Sequence, residues 1–333
     1  MRIVLSTGDI HGIGPEIVLK SLPGLQEAGH LLFATGSIRA FEFYRDLFGL
    51  PVRIEPLPSI AAIRGIAPEA GVLPVLSVEE PGHIEPGAVS KRAGFIAMKA
   101  LEAAAGICRD GHCDALVTAP LNKEAIALAG FSNTGHTDFL AEFFGVPSPV
   151  MLFVDPVSGL KVALATIHVP LSAVPGLVRT MDLDGYFRSL RVWLQQDFRL
   201  ERPSIAVLGL NPHASDGGVM GDEELSVIRP CIERLSPDMT IDGPFPADGF
   251  FGARRQRNHD LVVAMYHDQG LLPFKVLAFD TGINVTLGLP IVRTSPDHGT
   301  GFDQAGKGTA SERSFYEAAL LAAEIARNRT TTH

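Results

Sequence analysis

Short apolar runs alternate with longer amphipathic stretches along this chain. The strand-length runs include Arg2–Ser6, Leu31–Thr35 and Ala115–Thr118, and the longer stretches include Ser90–Arg109, Asp182–Phe198 and Glu312–Arg327. In the first long stretch Ser90 is placed to cap a helix, and apolar residues then recur at helical spacing. Because this alternation is typical of βαβ units, the sequence predicts an α/β fold.

Composition narrows the class of protein and of partner. The length of 333 residues is that of roughly two domains. There are 28 basic and 37 acidic residues, a net charge of −9, and no long basic run. This balance disfavours nucleic-acid and anionic-membrane partners. Three cysteines without a paired motif, and an N-terminus without a signal-peptide core, lead us to expect a cytoplasmic protein.

Three apolar segments of strand length each end close to a histidine. The segments are 162–168, 205–213 and 261–267, and the histidines are His168, His213 and His267. Ligands of open α/β sheets bind beyond the carboxyl ends of the strands, so we expect the three side chains to converge. Three imidazoles with open positions predict a catalytic metal site, which suits Zn²⁺ or Co²⁺ best and Mg²⁺ with help from substrate oxygens. The alternative is an ordinary hydrogen-bonded histidine at each strand end.

Two acidic residues lie near these segments. Asp248 and Asp268 are close enough in sequence to a strand end or loop to orient metal-bound histidines, a support that such ligands usually need. Spacing alone does not fix their role.

A second group of residues predicts an anion site. The segment 133–138 precedes a helix-like run, so its backbone N–H groups and the Thr137 hydroxyl are placed to bind an anion, or simply to cap the helix. Lys275, Asn284 and Arg293 interrupt apolar stretches and therefore need partners or a ligand. Arg293 suits a bidentate phosphate or carboxylate contact and Lys275 a point charge, with an internal ion pair as the alternative.

Two glycine-rich segments fall short of known nucleotide fingerprints. The segment 8–16 lacks the third glycine of the dinucleotide-binding pattern, and 301–308 has Gly308 where a phosphate loop needs Ser or Thr. Neither segment alone identifies a nucleotide site.

Taken together, these segments resemble the family of 4-hydroxythreonine-4-phosphate dehydrogenase, an enzyme of vitamin B6 biosynthesis. The resemblance covers nearly the whole chain, and its most specific motifs are 118–123, 135–137, 211–214, 265–270 and 293–300. It implies a divalent metal ion held by the same three histidines, His168, His213 and His267. It also implies a set of substrate-binding residues, namely His136, Thr137, Lys275, Asn284 and Arg293.

The resemblance also carries expectations about fold, cofactor and assembly. It implies two α/β/α domains around a cleft, as in the isocitrate and isopropylmalate dehydrogenases, with NAD or NADP bound without the usual fingerprint. One expected domain comprises 1–130 plus 295–330 with the cofactor loop, and the other comprises 131–294 with the metal, substrate and dimer contacts. The residues expected to bind the cofactor are His298, Gly299, Thr300 and Gly306. A homodimer is implied, with each active site completed by the partner.

The expected reaction is NAD-dependent, metal-assisted oxidation of 4-phosphooxy-L-threonine to a β-keto acid, which loses CO₂ to give 3-amino-2-oxopropyl phosphate. Asp248, Asp268 and Lys275 are the candidates for the general base. The opening segment departs from many family members, with Asp9-Ile10-His11 in place of Glu-Pro-Ala.

Three alternatives stay open from the sequence. Relatives in the family act on four-carbon sugar-acid phosphates or a cyclic dihydrodiol carboxylate, so a paralogous dehydrogenase is one. A metal-dependent hydrolase or phosphatase would use the histidines to activate water and would need no NAD. A binding protein for phosphorylated metabolites would need neither metal nor turnover.

Overall fold

The computed structural model describes residues 1–133 and 135–331. Their strands are β1 (Arg2–Ser6), β2 (Leu31–Gly36), β3 (Arg53–Pro56), β4 (Val72–Ser77), β5 (Ala115–Thr118), β6 (Val150–Val154), β7 (Lys161–Leu164), β8 (Ser204–Leu208), β9 (Thr240–Phe245), β10 (Leu261–Ala264), β11 (Ile283–Leu287) and β12 (Arg293–Pro296). Their α-helices are α1 (Gly14–Glu27), α2 (Ile38–Phe48), α3 (Lys91–Arg109), α4 (Lys123–Leu128), α5 (His136–Phe144), α6 (Val174–Thr180), α7 (Leu183–Phe198), α8 (Arg229–Leu235), α9 (Ala247–Gly252), α10 (His267–Ala278) and α11 (Arg313–Thr330). The predicted α/β fold is confirmed. None of the helices in this described part has the combined length and apolar character needed to span a bilayer.

The chain divides into two compact units, of which the first comprises Met1–Pro149 and Ile283–Arg327. Its strands follow the order β3-β4-β2-β1-β5-β12-β11, and the pairs are parallel except for the antiparallel β11–β12 pair. In the central strand β1, Ile3, Val4 and Leu5 are all completely buried. Burial of successive strand residues means that both faces of this sheet are covered.

Helix α3 shows how the sequence builds the core of the first unit. The Ser90 hydroxyl accepts hydrogen bonds from the N–H groups of Arg92 and Ala93, which confirms the predicted cap. Met98 and Leu101 then lie on the buried face of α3 and belong to the same apolar cluster as strand residues such as Val4, Phe33 and Leu116. The helix is therefore stabilised mainly by what it packs against.

The second unit comprises Val150–Gly282 and the residues from Asn328 onward. Its strands follow the order β6-β7-β10-β8-β9, and only the β6–β7 pair is antiparallel. Strand β10 pairs in parallel with both β7 and β8. Val263 lies opposite Ala163 on one side and opposite Val207 on the other. The carboxyl ends of these three strands therefore lie side by side.

The unit boundaries differ from the expected 131–294 domain, since 131–149 and 283–294 group with the first unit. The reason is tertiary pairing. Strand β11 pairs with β12, which pairs with β5, and Phe139 and Phe143 of α5 pack on the first unit's apolar cluster. His136, Asn284 and Arg293 therefore belong to the first unit, and Lys275 belongs to the second.

Candidate active site

Arg293 is a buried cation at the start of β12. It is only 2% exposed, and its guanidinium donates to the hydroxyls of Thr118, at 2.7 Å from Nη2 and 3.2 Å from Nε, and of Thr286, at 2.9 Å from Nη1. Within the described residues no carboxylate lies at ion-pair distance from it. Burial lowers the pKa of Arg293 to about 9, which leaves the guanidinium charged at neutral pH. Since an unneutralised buried charge is costly, this site is suited to an anionic ligand.

His136 begins α5 and is influenced by the same cation. Its Nε2–H donates to the carbonyl oxygen of Ala119 at 3.2 Å. Burial first, and the positive charge of Arg293 second, lower the pKa of His136 well below its usual value, so its ring is neutral at pH 7. Thr137 follows in the first turn of α5, after Gly135 at the N-cap. A helix N-terminus beside a buried cation favours a phosphate or carboxylate.

Asn284 adds an unused hydrogen-bonding group on β11. It is 8% exposed, and its Oδ1 has no hydrogen-bond partner among the described residues. A buried amide oxygen without a donor costs free energy unless a ligand or water supplies one. The side chain is therefore ready to accept a hydrogen bond from a hydroxyl or ammonium group of a bound molecule.

The second unit brings together two of the three predicted metal ligands. The ring centroids of His168 and His267 are 5.8 Å apart, and both side chains line a cavity of about 360 Å³ together with Asp268. The His267 side chain is 44% exposed, and its Nδ1–H donates to the Asp268 carboxylate at 2.8 Å. Engagement of Nδ1 leaves Nε2 of His267 available to a metal ion.

His213 is not brought to this pair. It does not line the cavity, and in residues 1–133 and 135–331 no three His, Cys, Asp or Glu side chains are grouped closely enough to hold one ion. The backbone explains the difference, because residues 213–217 all have φ between +44° and +68°. Such a left-handed run turns the chain away from the extended path that the strand-end pattern implied. The observed residues thus fit a metal ion at two positions out of three.

Buried carboxylates hold the segment that leads into His213. The Asn211 N–H donates to Glu224 Oε1 at 2.7 Å, and the Asn211 side-chain Nδ2 donates to Glu223 at 2.8 Å and to Glu224 at 2.9 Å. Glu224 is completely buried at the start of a single π-helical turn, Glu224–Ile228. The position of Asn211 is therefore fixed independently of any ligand.

The candidates for the general base occupy different environments. Lys275 is half-buried on α10, and Asp248 is exposed in the first turn of α9. Asp268 is engaged by His267, an arrangement that orients the imidazole.

The predicted cofactor loop is anchored from one side by α1. Lys20 Nζ donates to the carbonyl oxygens of Gly308 and Ala310, both at 2.9 Å, and forms an ion pair with buried Glu16 at 2.6 Å. The Glu16 carboxylate also accepts from the Ala310 N–H at 3.1 Å. The backbone turn itself requires Gly306, whose φ is +76°.

The other predicted residues of this loop differ in exposure. Gly299 is exposed, His298 and Thr300 are half-buried, and the His298 Nδ1–H donates to the Gly299 carbonyl oxygen at 3.0 Å. An anchored loop with an exposed face is compatible with dinucleotide binding.

Thr118, Thr286 and Lys20 were not singled out from the sequence. Thr118 opens one of the specific motifs, and Thr286 interrupts an apolar strand, so both carried a usable signal. Lys20 carried none, because its partners Gly308 and Ala310 are 288 and 290 residues away in the chain.

Comparisons with known proteins agree on one family. The model of the family described as pyridoxal phosphate biosynthetic protein PdxA matches residues 33–322. A relative from Prosthecochloris aestuarii named 4-hydroxythreonine-4-phosphate dehydrogenase is 58% identical over 98% of this chain and 97% of its own length.

Solved structures give the same result. The crystal structure of 4-hydroxythreonine-4-phosphate dehydrogenase from Klebsiella pneumoniae is 33% identical, with a TM-score of 0.83 over 98% of each chain. A terephthalate 1,2-cis-dihydrodiol dehydrogenase from Burkholderia xenovorans is 27% identical, with a TM-score of 0.62 over 99% of this chain and 98% of its own. The family match and the curated relative together show that this chain belongs to the PdxA family of pyridoxal phosphate biosynthetic proteins.

Proposed function

We propose that this protein is a cytoplasmic, NAD-dependent 4-hydroxythreonine-4-phosphate dehydrogenase that oxidises 4-phosphooxy-L-threonine with the help of a divalent metal ion, in vitamin B6 biosynthesis. The names of the PdxA relatives support this activity. The observation that carries it is the buried Arg293 guanidinium, which has hydroxyl partners but no neutralising carboxylate in the described structure. An anionic substrate supplies the missing negative charge.

The first-unit residues would recognise the substrate's anionic and polar groups. Arg293 and the N-terminal turn of α5, with His136 and Thr137, are suited to oxygens of the phosphate or the carboxylate. The neutral imidazole of His136 donates through Nε2 and keeps Nδ1 as an acceptor. Asn284 Oδ1 would accept from the substrate's ammonium or hydroxyl group. Lys275, which belongs to the second unit, is also proposed to bind the substrate, as a point charge.

The second-unit histidines would hold the metal ion. His168 and His267 are already paired, and His213 would join them after a change in the backbone of 213–217. A bound Zn²⁺, Co²⁺ or Mg²⁺ ion supplies Lewis-acid chemistry that lowers the pKa of the substrate alcohol. Asp268 holds the His267 ring in the tautomer that leaves Nε2 available.

Oxidation requires one proton and one hydride to leave the secondary alcohol. NAD, or NADP, would take the hydride, bound at the loop that carries His298, Gly299, Thr300 and Gly306. A general base, for which Asp248, Asp268 and Lys275 are the candidates, would take the hydroxyl proton. The β-keto acid formed loses CO₂ readily, because the adjacent carbonyl takes up the electron pair of the broken bond, and 3-amino-2-oxopropyl phosphate results.

A homodimer is part of the proposal. Helix α10 and the residue after it expose Leu272 (66%), Val276 (77%) and Phe279 (79%) at helical spacing. Such an apolar stripe is unusual on a surface that faces only water, and a second copy of the chain would cover it in a two-fold symmetric contact. We propose that residues of both copies complete each active site.

A second candidate is supported by one structural relative. The relative named above is a terephthalate 1,2-cis-dihydrodiol dehydrogenase, so oxidation of a dihydrodiol is the competing activity. Oxidation of a four-carbon sugar-acid phosphate is the other paralogous activity that the family resemblance implies. A metal-dependent phosphatase is the competing activity of a different class.

The deciding experiment follows NADH formation by absorbance with purified, metal-loaded protein and 4-phosphooxy-L-threonine, before and after chelation. Fast, chelator-sensitive NADH formation from this substrate supports the proposal. Turnover of a sugar-acid phosphate or dihydrodiol alone would assign the paralogous role, and phosphate release without NAD would assign the phosphatase. Light scattering on the same preparation should give the mass of two chains.

A further inference from the structure

Three neighbouring strand ends in the second unit each lead into one proposed metal ligand. His168 is the fourth residue after the end of β7, His267 is the third after β10, and His213 is the fifth after β8. Strand β10 lies between β7 and β8. The distances between the ends of these three strands therefore affect the distances between the histidines that follow them.

A chain of hydrogen bonds connects these strand ends through Gln269. Its Oε1 accepts from the N–H of Met265, just beyond β10, at 2.7 Å, and its Nε2 donates to the carbonyl oxygen of Gly209, just beyond β8, at 2.6 Å. On the other side, the Thr166 hydroxyl donates to the Met265 carbonyl oxygen at 2.7 Å. Both backbone polar groups of Met265 are thus used to tie β10 to its neighbours.

Helix α10 presents Gln269 at the right place because its first turn packs directly on the strands. A Cβ atom at Gly270 would lie 2.7 Å from Leu164 Cδ2 and 3.0 Å from Ala264 Cβ, so a larger residue here would have to displace these neighbours and glycine favours the close approach. Met265 is completely buried and Thr166 is 7% exposed, so the bond between them is shielded from competing water, whereas Gln269 is half-buried.

We propose that Gln269 is a positioning residue for the metal centre, and that its amide, together with the Thr166 hydroxyl, sets the spacing of the strand ends that carry His168, His213 and His267. The inference rests on the proposed function, because it assumes that these histidines bind the metal. In this proposal Gln269 acts through the backbone groups of Met265 and Gly209 and is not itself a metal ligand. Partners that orient metal ligands typically contribute about 10- to 100-fold in metal affinity.

The variant Gln269→Glu separates the two bonds. A glutamate of the same length still accepts from the Met265 N–H but has no proton to donate to the Gly209 carbonyl oxygen. We expect about a 10-fold or larger loss of Co²⁺ affinity and an altered visible Co²⁺ absorption spectrum. The matched control is Gln195→Glu, because Gln195 on α7 is exposed and also donates to a backbone carbonyl oxygen, that of Glu201 at 2.8 Å. This control should bind Co²⁺ like the wild type.

A second variant protects the test against poor folding of the first. Thr166→Val removes the hydroxyl with little change of volume, and it should also weaken Co²⁺ binding and shift the spectrum. Thermal unfolding in chelator measures the structural contribution of each bond separately.

The outcomes distinguish the inference from the function on which it rests. If Gln269→Glu and Thr166→Val lower only the unfolding temperature and keep the wild-type Co²⁺ affinity and spectrum, the positioning role is overturned while the metal site stands. If the wild type binds no Co²⁺, or binds it equally well without His168 and His267, the proposed metal centre fails and the inference fails with it.

Discussion

The buried cation of the first unit and the histidines of the second differ in how far the fold prepares them for a ligand. Arg293 is 2% exposed and is held by two threonine hydroxyls on neighbouring strands. His267 is half-buried, with its side chain 44% exposed, and has one carboxylate partner, and His213 lies in a left-handed segment apart from the other two ligands.

The difference follows from the cost of desolvation. Burying a guanidinium costs several kcal/mol, so the fold must fix it rigidly with hydrogen bonds, and the anion site is formed in advance. Neutral imidazoles cost little to leave in water, so their assembly can be deferred until metal binding supplies the free energy. We therefore interpret Arg293 as part of a preformed site and the histidines as a site completed by its metal ion.

The strongest test of the deferred site is His213→Asn. Asparagine tolerates the left-handed backbone, with φ of +54° at this position, so the segment should keep its conformation while the imidazole is lost. Because loss of a direct ligand should exceed the cost of losing an orienting partner, we expect metal affinity to fall by more than about 100-fold and NADH formation to stop. Metal titration and the NADH assay measure both.

The unfolding temperature in chelator controls for damage to the fold and should not change. Wild-type turnover by His213→Asn would show that His213 is not a metal ligand. The histidines could then no longer be interpreted as a site that metal binding completes.

The preformed site is tested by Arg293→Lys. Lysine keeps a positive charge but loses the planar fork that binds an anion through two hydrogen bonds, and about 3 kcal/mol of lost interaction corresponds to a fall in kcat/KM of about 100-fold. The unfolding temperature should also fall, because lysine cannot make all three hydrogen bonds that Arg293 donates to the hydroxyls of Thr118 and Thr286. The value of kcat/KM is therefore measured at a temperature where the variant is folded.

Arg202→Lys is the matched control, because Arg202 is exposed. It should leave kcat/KM and the unfolding temperature unchanged. Unchanged kcat/KM in Arg293→Lys would show that the buried cation does not bind the substrate.

Local sequence patterns reached the fold class and many of the candidate residues. The helical spacing of apolar residues and the capping residue Ser90 predicted α3. The apolar sequence around Arg293 indicated a charge that needs a partner or a ligand. The sequence could not show whether Arg293 forms an internal ion pair or binds a ligand. Its observed partner, the Thr118 hydroxyl, is 175 residues away in the chain. The pairing of β12 with β5 is also long-range, and it explains why 283–294 belong to the first unit and not to the second as expected.

Backbone conformation was the other limit. Nothing in the letters Asn-Pro-His-Ala shows that 213–217 adopt a left-handed path, since only Gly217 among them prefers it without cost. The strand-end rule therefore predicted three converging histidines where the described structure pairs two. Gln269 was missed for a related reason, because its partners Met265 and Gly209 are backbone groups that no residue pattern marks.

The smallest expected effect concerns Asp9, a second buried charge with few partners in the first unit. We expect this charge to lower the free energy of unfolding. Asp9 is completely buried; its Oδ1 accepts from the His11 N–H at 2.9 Å, and its Oδ2 has no hydrogen-bond partner among the described residues. Burial raises the pKa of Asp9 from 3.8 to about 6. Between these two values the folded protein binds the extra proton, so the free energy of unfolding falls as pH rises through this window and levels off above it.

Asp9→Asn keeps the acceptor for His11 and removes the charge. We expect it to raise the free energy of unfolding by up to about 3 kcal/mol above about pH 7, and the gain to vanish as pH falls toward about 4. Denaturant unfolding across this range measures the difference, with Asp110→Asn as the control because the Asp110 side chain is 49% exposed. A gain that does not change with pH would mean that the unpartnered charge of Asp9 costs nothing. In that case the high cost of burying charge could no longer explain why the Arg293 site is preformed.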